Sequence, residues 1–269
     1  MLRALLYLTL MLYAGGGMLY SAGAKTGKAN VLKAAFWLAA LGGAGNLSVL
    51  VSRTVITGRL PLASGYEFLL SLTCLTVLIY LGYELKNGEK RAGGIIMLMA
   101  ALLILFAVIT AGNQLSVVSP LMPALKSPWL SVHVLTAVAA YAGFTLAAGL
   151  AVMEVLGKGR GQLNLSIYRM VAGGFAMLTV SIVFGAVWAE QAWGSYWSWD
   201  PKETWALVTW IIYALYLHLY NKRGLIGENA SIVVIVGLVL VLFSFFGVNF
   251  LMSGLHSYAG VPPAGRVLG

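Results

Sequence analysis

The chain has 269 residues, of which 60% are hydrophobic and 9% charged, and its mean hydropathy is +0.89. A soluble domain of this size cannot bury so much apolar surface, so the composition excludes a soluble fold and marks an integral membrane protein. The net charge of +9 does not point to nucleic acid, because the basic residues are spread thinly through the loops and form no single basic face.

Apolar stretches near the length of a membrane span, roughly 20 residues, recur near 4–22, 34–52, 66–85, 93–112, 129–153, 168–189, 203–221 and 230–250. They are too long and uninterrupted for barrel strands, which alternate over about 10 residues. The reading is all-α: about eight transmembrane helices in one bundle, a single polytopic domain over residues 1–269. Loops after the first, third, fifth and seventh stretches hold 11 of the Lys and Arg residues, and the opposite side holds 6. By the positive-inside rule this bias puts both termini outside. At the N-terminus, Arg3, the first apolar run and the small residues 21–24 mimic a cleaved signal peptide. That arrangement would place the lysines after the first stretch outside, against the charge bias. Cys74, the only cysteine, lies within the third stretch, so neither an internal disulfide nor a Cys-based metal site is available. The chain also lacks Cys-x-x-Cys-His and is not itself a c-type cytochrome.

Two outer segments exceed ordinary loop length. Residues 112–128 carry Pro120, Pro123 and Pro128 and read as a rigid, non-helical excursion. At its end, Ser127-Pro128-Trp129 has the N-cap, N1 and N2 pattern of a helix start, which puts His133 one to two turns inside the fifth helix. The second is the tail 251–269, where His256 falls just past the outer end of the eighth helix. Between the sixth and seventh stretches, the outer loop 190–203 packs Trp193, Tyr196, Trp197 and Trp199 into seven residues. Connections between membrane helices ordinarily use small polar residues, Gly and Pro. An interfacial aromatic belt is spread over many helices, whereas this cluster sits in one loop. Flat rings so concentrated suit a large planar apolar ligand. Asp200-Pro-Lys-Glu203 reads as a capping box that starts the seventh helix rigidly beneath those rings. His218 lies 15 residues after Glu203, roughly 22 Å deeper at 1.5 Å per residue, near the inner end of that helix.

His133 and His256 approach the tryptophan tract from one side, and two neutral imidazoles on opposite faces of a porphyrin form a bis-histidine iron site. Each has an ordinary alternative as a solvated interfacial residue. None of the eight acids sits at a helix midpoint, which argues against ion-coupled transport.

Trp193-Gly-Ser-Tyr-Trp-Ser-Trp-Asp-Pro-Lys-Glu-Thr-Trp205 resembles the tryptophan-rich "WWD" signature of the cytochrome c assembly and haem-handling family. His133 and His256 resemble that family's outer histidine pair. The match is with the CcsA/ResC branch (CcsB in some bacteria) of the system II cytochrome c synthase. Pro61-Leu-Ala-Ser-Gly-Tyr66-Glu67-Phe68 resembles another short motif of the branch, and Tyr-Leu-His218-Leu-Tyr its intramembrane histidine. The resemblance implies a haem lyase subunit that delivers haem b and attaches it to Cys-x-x-Cys-His of an apocytochrome c. It implies an active site on the extracytoplasmic side of a bacterial cytoplasmic or thylakoid-type membrane. Trp193, Trp197 and Trp199, with Asp200, Tyr66 and Glu67, would hold the macrocycle. His133 and His256 would ligate iron at the outer site and His218 at an inner one, whose second ligand would come from a ResB-like membrane partner. Two other readings remain open, a haem presenter without ligation activity and a membrane b-type cytochrome.

Overall fold

The computed structural model describes residues 2–115, 120–159, 161–224, 226–252 and 254–255. Among these, eight long helices run up and down: α1 (Leu2–Thr26), α2 (Ala29–Thr57), α3 (Gly65–Asn87), α4 (Gly93–Ala111), α5 (Pro128–Val155), α6 (Asn164–Trp193), α7 (Pro201–Arg223) and α8 (Glu228–Leu242). The last continues through a π turn, Phe243–Gly247, into one further helical turn, Val248–Leu251. No strand occurs among the described residues. The protein is an all-α membrane bundle.

Seven of the helices are long and apolar enough to cross a membrane, α8 together with its π turn counting as one. α7 is the eighth stretch counted from the sequence. Its 23 residues match a span in length, but Lys202 and Glu203 at one end and Lys222 and Arg223 at the other lower its hydropathy. Between these ends the rings of Trp205, Trp210, Tyr213, Tyr216 and Tyr220 are interspersed with aliphatic residues, and their amphipathic character lowers the hydropathy further.

α5 is the most enclosed helix and packs against α6, α8 and α3, whereas α1, α2 and α4 form a flank that reaches it through α3. Phe144 of α5 stacks on Tyr213 of α7 with ring centroids 3.7 Å apart. Side chains facing away from these contacts are apolar and open, among them Met11, Trp37, Val55 and Ile109. In a soluble protein such a surface would aggregate; here it is the face that meets lipid.

Polar groups collect at the two ends of the bundle, where desolvation is least severe. At one end Tyr20 donates to Glu84 (2.5 Å), and the Arg91 guanidinium pairs with Glu89 (2.6 Å) and donates to the Lys158 carbonyl (2.5 Å). The other end carries the tryptophan tract and is the tract end below. There the segment expected to be non-helical forms two short 3-10 turns, Gly112–Leu115 and Pro123–Lys126. Proline pre-sets the backbone for such a turn at its first position.

Candidate functional site

The tract is held by both helices that flank it. α6 runs one turn further than its apolar stretch, so Trp193 is its last residue and belongs to a helix instead of a loop. Gly194 then adopts φ 78°, with its N–H on the Glu190 carbonyl (2.8 Å), and turns the chain across the end of the bundle. At the far side Asp200 is the N-cap of α7 and Pro201 its first residue. The expected capping box is present: Asp200 accepts from the Lys202 N–H (3.1 Å) and Glu203 accepts from the Asp200 N–H (3.3 Å). Glu203 also accepts from the Ser198 N–H at 2.8 Å, so one carboxylate fixes the helix start and the tract before it. Between them Trp199 is the one non-glycine residue with positive φ (58°) among the described residues, and its ring is exposed. A left-handed tryptophan is strained by about 1–3 kcal/mol, so the surrounding hydrogen bonds hold it there.

Inside this arch lies a cavity of about 400 Å³, bordered by α3, α4, α5, α6 and α7, with the π turn along its lower side. That volume falls in the range of roughly 300–1,000 Å³ typical of small-ligand sites. Its walls are mostly apolar and aromatic, with His133, Trp188, Tyr196, Trp197, Tyr66 and Lys202 among them.

His133 stands in the second turn of α5, whose start is the expected Ser127 cap with Pro128 at N1. Its ring nitrogen Nδ1 lies 2.8 Å from the Ser181 carbonyl of α6, and the Ser181 hydroxyl donates to the His133 carbonyl at 3.0 Å. A carbonyl can only accept, so Nδ1 carries the proton and the lone pair falls on Nε2. The Trp188 ring lies almost parallel to the imidazole, 12° apart, with centroids separated by 6.3 Å. Gly185 completes the arrangement, since a Cβ there would come within 2.7 Å of Nδ1. Ser181, Gly185 and Trp188 fall four and three residues apart and so share one face of α6.

The rim is tied down as well. The Trp188 indole donates to the Ala124 carbonyl (2.8 Å), which draws the 3-10 turn Pro123–Lys126 over the site, and Trp188 meets Trp193 edge to face. Trp197 packs edge-on to Trp199. Its Nε1 is buried and has no hydrogen-bond partner among the described residues. A buried N–H left unpaired costs about 1–3 kcal/mol, so this donor calls for an acceptor from a ligand.

The remaining expected site residues take other places. Glu67 is fully buried in the first turn of α3 and does not line the cavity. Its carboxylate pairs with Arg53 (3.2 Å) and Arg59 (2.9 Å) and accepts from the Ala63 N–H (3.0 Å). Tyr66 does line it, with Arg53 over its ring at 5.7 Å and its hydroxyl 3.4 Å from Glu67. Asp200 is buried behind the tract, where its second oxygen accepts from the Leu255 N–H (2.5 Å). That bond brings the chain leaving the last helical turn onto the start of α7. His256, the next residue, lies outside the described residues. His218 is exposed on α7 near the opposite end and is not brought to the cavity. The α6 face of Ser181, Gly185 and Trp188 was not singled out in the sequence, where its only trace is the helical spacing.

An up-and-down membrane bundle with an aromatic-walled, histidine-bearing cavity at one end defines the class. Residues 62–256 match the family described as cytochrome c assembly protein, and the chain belongs to that family. It is 38% identical over 225 residues to the cytochrome c biogenesis protein CcsA of Chlamydomonas reinhardtii, covering 78% of this chain and 64% of that one. To the proteins of the same name from Trieres chinensis and Prochlorococcus marinus it is 36% identical, again over 78% of this chain, with 81% and 78% of theirs covered. The chain thus spans less than two thirds of the length of the Chlamydomonas relative. Among solved structures, the cytochrome c heme lyase CcmF superposes with a TM-score of 0.70 at 18% identity, over 94% of this chain and 46% of that one. At that identity the likeness speaks for the fold.

Proposed function

We propose that the tract-end cavity receives haem b and presents it for covalent attachment to the Cys-x-x-Cys-His motif of an apocytochrome c. The observation that carries this is His133: an imidazole whose Nδ1–H is held by the Ser181 carbonyl, at the wall of a cavity with tryptophan sides. A hydrogen bond of this kind fixes the orientation and basicity of a ligating histidine. The residues present fit a haem. The walls are apolar and flat-ringed, and the buried Trp197 Nε1 and the ammonium of Lys202 offer partners for carboxylate ends. The family to which the chain belongs handles cytochrome c assembly, and its CcsA relatives are named for cytochrome c biogenesis.

In this reading His133, through Nε2, and His256 are the residues that would hold the iron. The Asp200 bond to Leu255 holds the residue before His256 against the tract. Trp197 lines the cavity and would lie against the macrocycle, whereas Trp193 and Trp199 do not line it and support the shelf through their edge-on contacts with Trp188 and Trp197. Asp200, Glu203 and the Glu67–Arg53–Arg59 cluster keep the shelf and the Tyr66 wall in place. Attachment adds each thiol across a vinyl group: sulfur bonds to one carbon and the proton goes to the other. The contribution of the protein is position, since fixing two reactants in a dry cleft replaces a bimolecular encounter. Release of the product would require the hold of His133 or His256 to give way to the histidine of the apocytochrome motif.

The site faces the extracytoplasmic side of a bacterial cytoplasmic or thylakoid-type membrane, and a ResB-like membrane subunit completes the synthase. An exposed His218 near the opposite end suits an inner site shared with such a partner, because an imidazole on a lipid-facing surface needs cover. Maturation of a reporter cytochrome c in cells lacking their own synthase tests the proposal. Co-expressed with its partner, the wild-type chain yields protein-bound haem that survives denaturing gels, and His133→Ala lowers the yield at least tenfold at equal membrane abundance. Equal yields from the two would contradict it.

A further inference from the structure

Deeper in the bundle a second cavity of about 390 Å³ lies against the first. Leu69, Phe106, Tyr141, Phe245 and Phe246 line both and form the wall between them. Among the described residues the lower lining is almost wholly apolar: besides Tyr141 its one polar side chain is Thr145, whose hydroxyl already donates to the Tyr141 carbonyl (2.8 Å). Its outer lip is the lipid-facing side of α4, where Leu102, Leu105 and Ile109 are 64%, 41% and 67% exposed. α4 packs mainly on α1 and α3 and makes little contact with α5. Toward the end of α8 the seam is bridged by rings, Phe106 meeting Phe246 edge-on with centroids 4.6 Å apart.

Side chains, not backbone, therefore separate the His133 cavity from the bilayer. Phe246 leans on Phe245 (4.9 Å), which stacks on Phe68 of α3 (4.7 Å). Two of these rings sit on the π turn, where the Val248 N–H reaches back five residues to the Phe243 carbonyl. Such turns recur at functional sites because the helical ladder is interrupted there. Three of the five residues on the dividing wall are phenylalanines, and two of those stand on the π turn.

We propose that the seam between α4 and α8 is a lateral portal. A planar macrocycle with apolar faces, an iron porphyrin, passes through it from the bilayer core into the His133 cavity, with Phe106, Phe245 and Phe246 as the gate. The inference rests on the haem reading of that cavity. Passage fits better than storage of a lipid, because no charged side chain among the described residues lines the lower cavity to hold a polar head, whereas the cavity beyond the gate holds the histidine and Lys202.

The test uses a cysteine at the lip. Leu105→Cys is made in the full chain, whose native Cys74 is 3% exposed within the core, and is labelled with a bulky membrane-permeant maleimide. The protein is reconstituted in phosphatidylcholine vesicles, hemin is supplied in the lipid, and the rate of the His133-dependent Soret change is followed. Labelled Leu105→Cys is expected to load at least tenfold more slowly than the same variant unlabelled, with the same final occupancy. Met11→Cys, on a lipid-facing position of α1 that lines neither cavity, is expected to load at one rate with or without label. Equal rates for labelled and unlabelled Leu105→Cys would overturn the portal, leave the haem reading standing and assign the lower cavity to acyl chains. No uptake by the unlabelled wild-type chain would overturn the haem reading and the portal with it.

Discussion

His133 gains its character from residues on another helix. The Ser181 carbonyl sets its tautomer, Trp188 sets its plane, and the missing side chain at Gly185 gives the ring its room. Gly185→Val puts carbon where the ring stands, and the imidazole has to turn away. The expected result in detergent is at least a tenfold loss of haem affinity and a changed spectrum, with melting temperature and helix content near wild type. Ser181→Ala keeps the carbonyl and loses only the hydroxyl contact, so its loss should be several-fold smaller. Equal losses from the two would show that ring position is not what matters. At Trp199 the reasoning runs from strain to purpose: a left-handed backbone under an exposed ring persists only because Glu203, Ser198 and Thr204 hold its neighbours.

At the scale of elements, two polar devices frame the cavity, and their energetics differ. Glu203 completes the capping box begun by Asp200 at a partly exposed position, and losing hydrogen bonds of that kind costs about 1 kcal/mol. Glu67 neutralises Arg53, which is 3% exposed, and removing one partner of a buried pair costs about 3–5 kcal/mol. Thermal unfolding in one detergent should therefore rank Glu67→Ala well below Glu203→Ala, and the reverse order would contradict the arrangement. The same contrast shows what sequence could reveal. The caps at Ser127 and Asp200 were legible because their partners lie within three residues along the chain. The cluster of aromatic rings was legible for the same reason, although Trp193 proved to end a helix. The α6 face behind His133 and the partners of Glu67 were not, because they depend on which helices touch, and apolar stretches in lipid carry little information about their neighbours. Helical rise assigns His218 to the far end of α7, and which way it faces depends on the packing, which leaves it exposed.

For the whole molecule, helix length in a bilayer made the number of stretches readable, and only α7 falls short on hydropathy. Its aromatic middle is packed between α6 and α8, so it shares the bundle while contributing fewer aliphatic residues to the lipid face. The arrangement gives the bundle two unlike ends. One is closed by polar contacts that tie separate helices and loops together, and the other holds a cavity under an arch of tryptophans. The central claim is that this cavity binds haem through His133 and His256. The most direct measurement is an absorption spectrum with haem quantitation on the purified chain, alone and with a ResB-like partner. Wild type would be compared with His133→Ala, His256→Ala and the double variant. The account predicts b-type haem with a six-coordinate spectrum in the wild type. Each single variant should alter it, and the double variant should abolish it at the tract end. A wild-type chain that purifies without haem and takes none up, or one whose spectrum is indifferent to both substitutions, would contradict it.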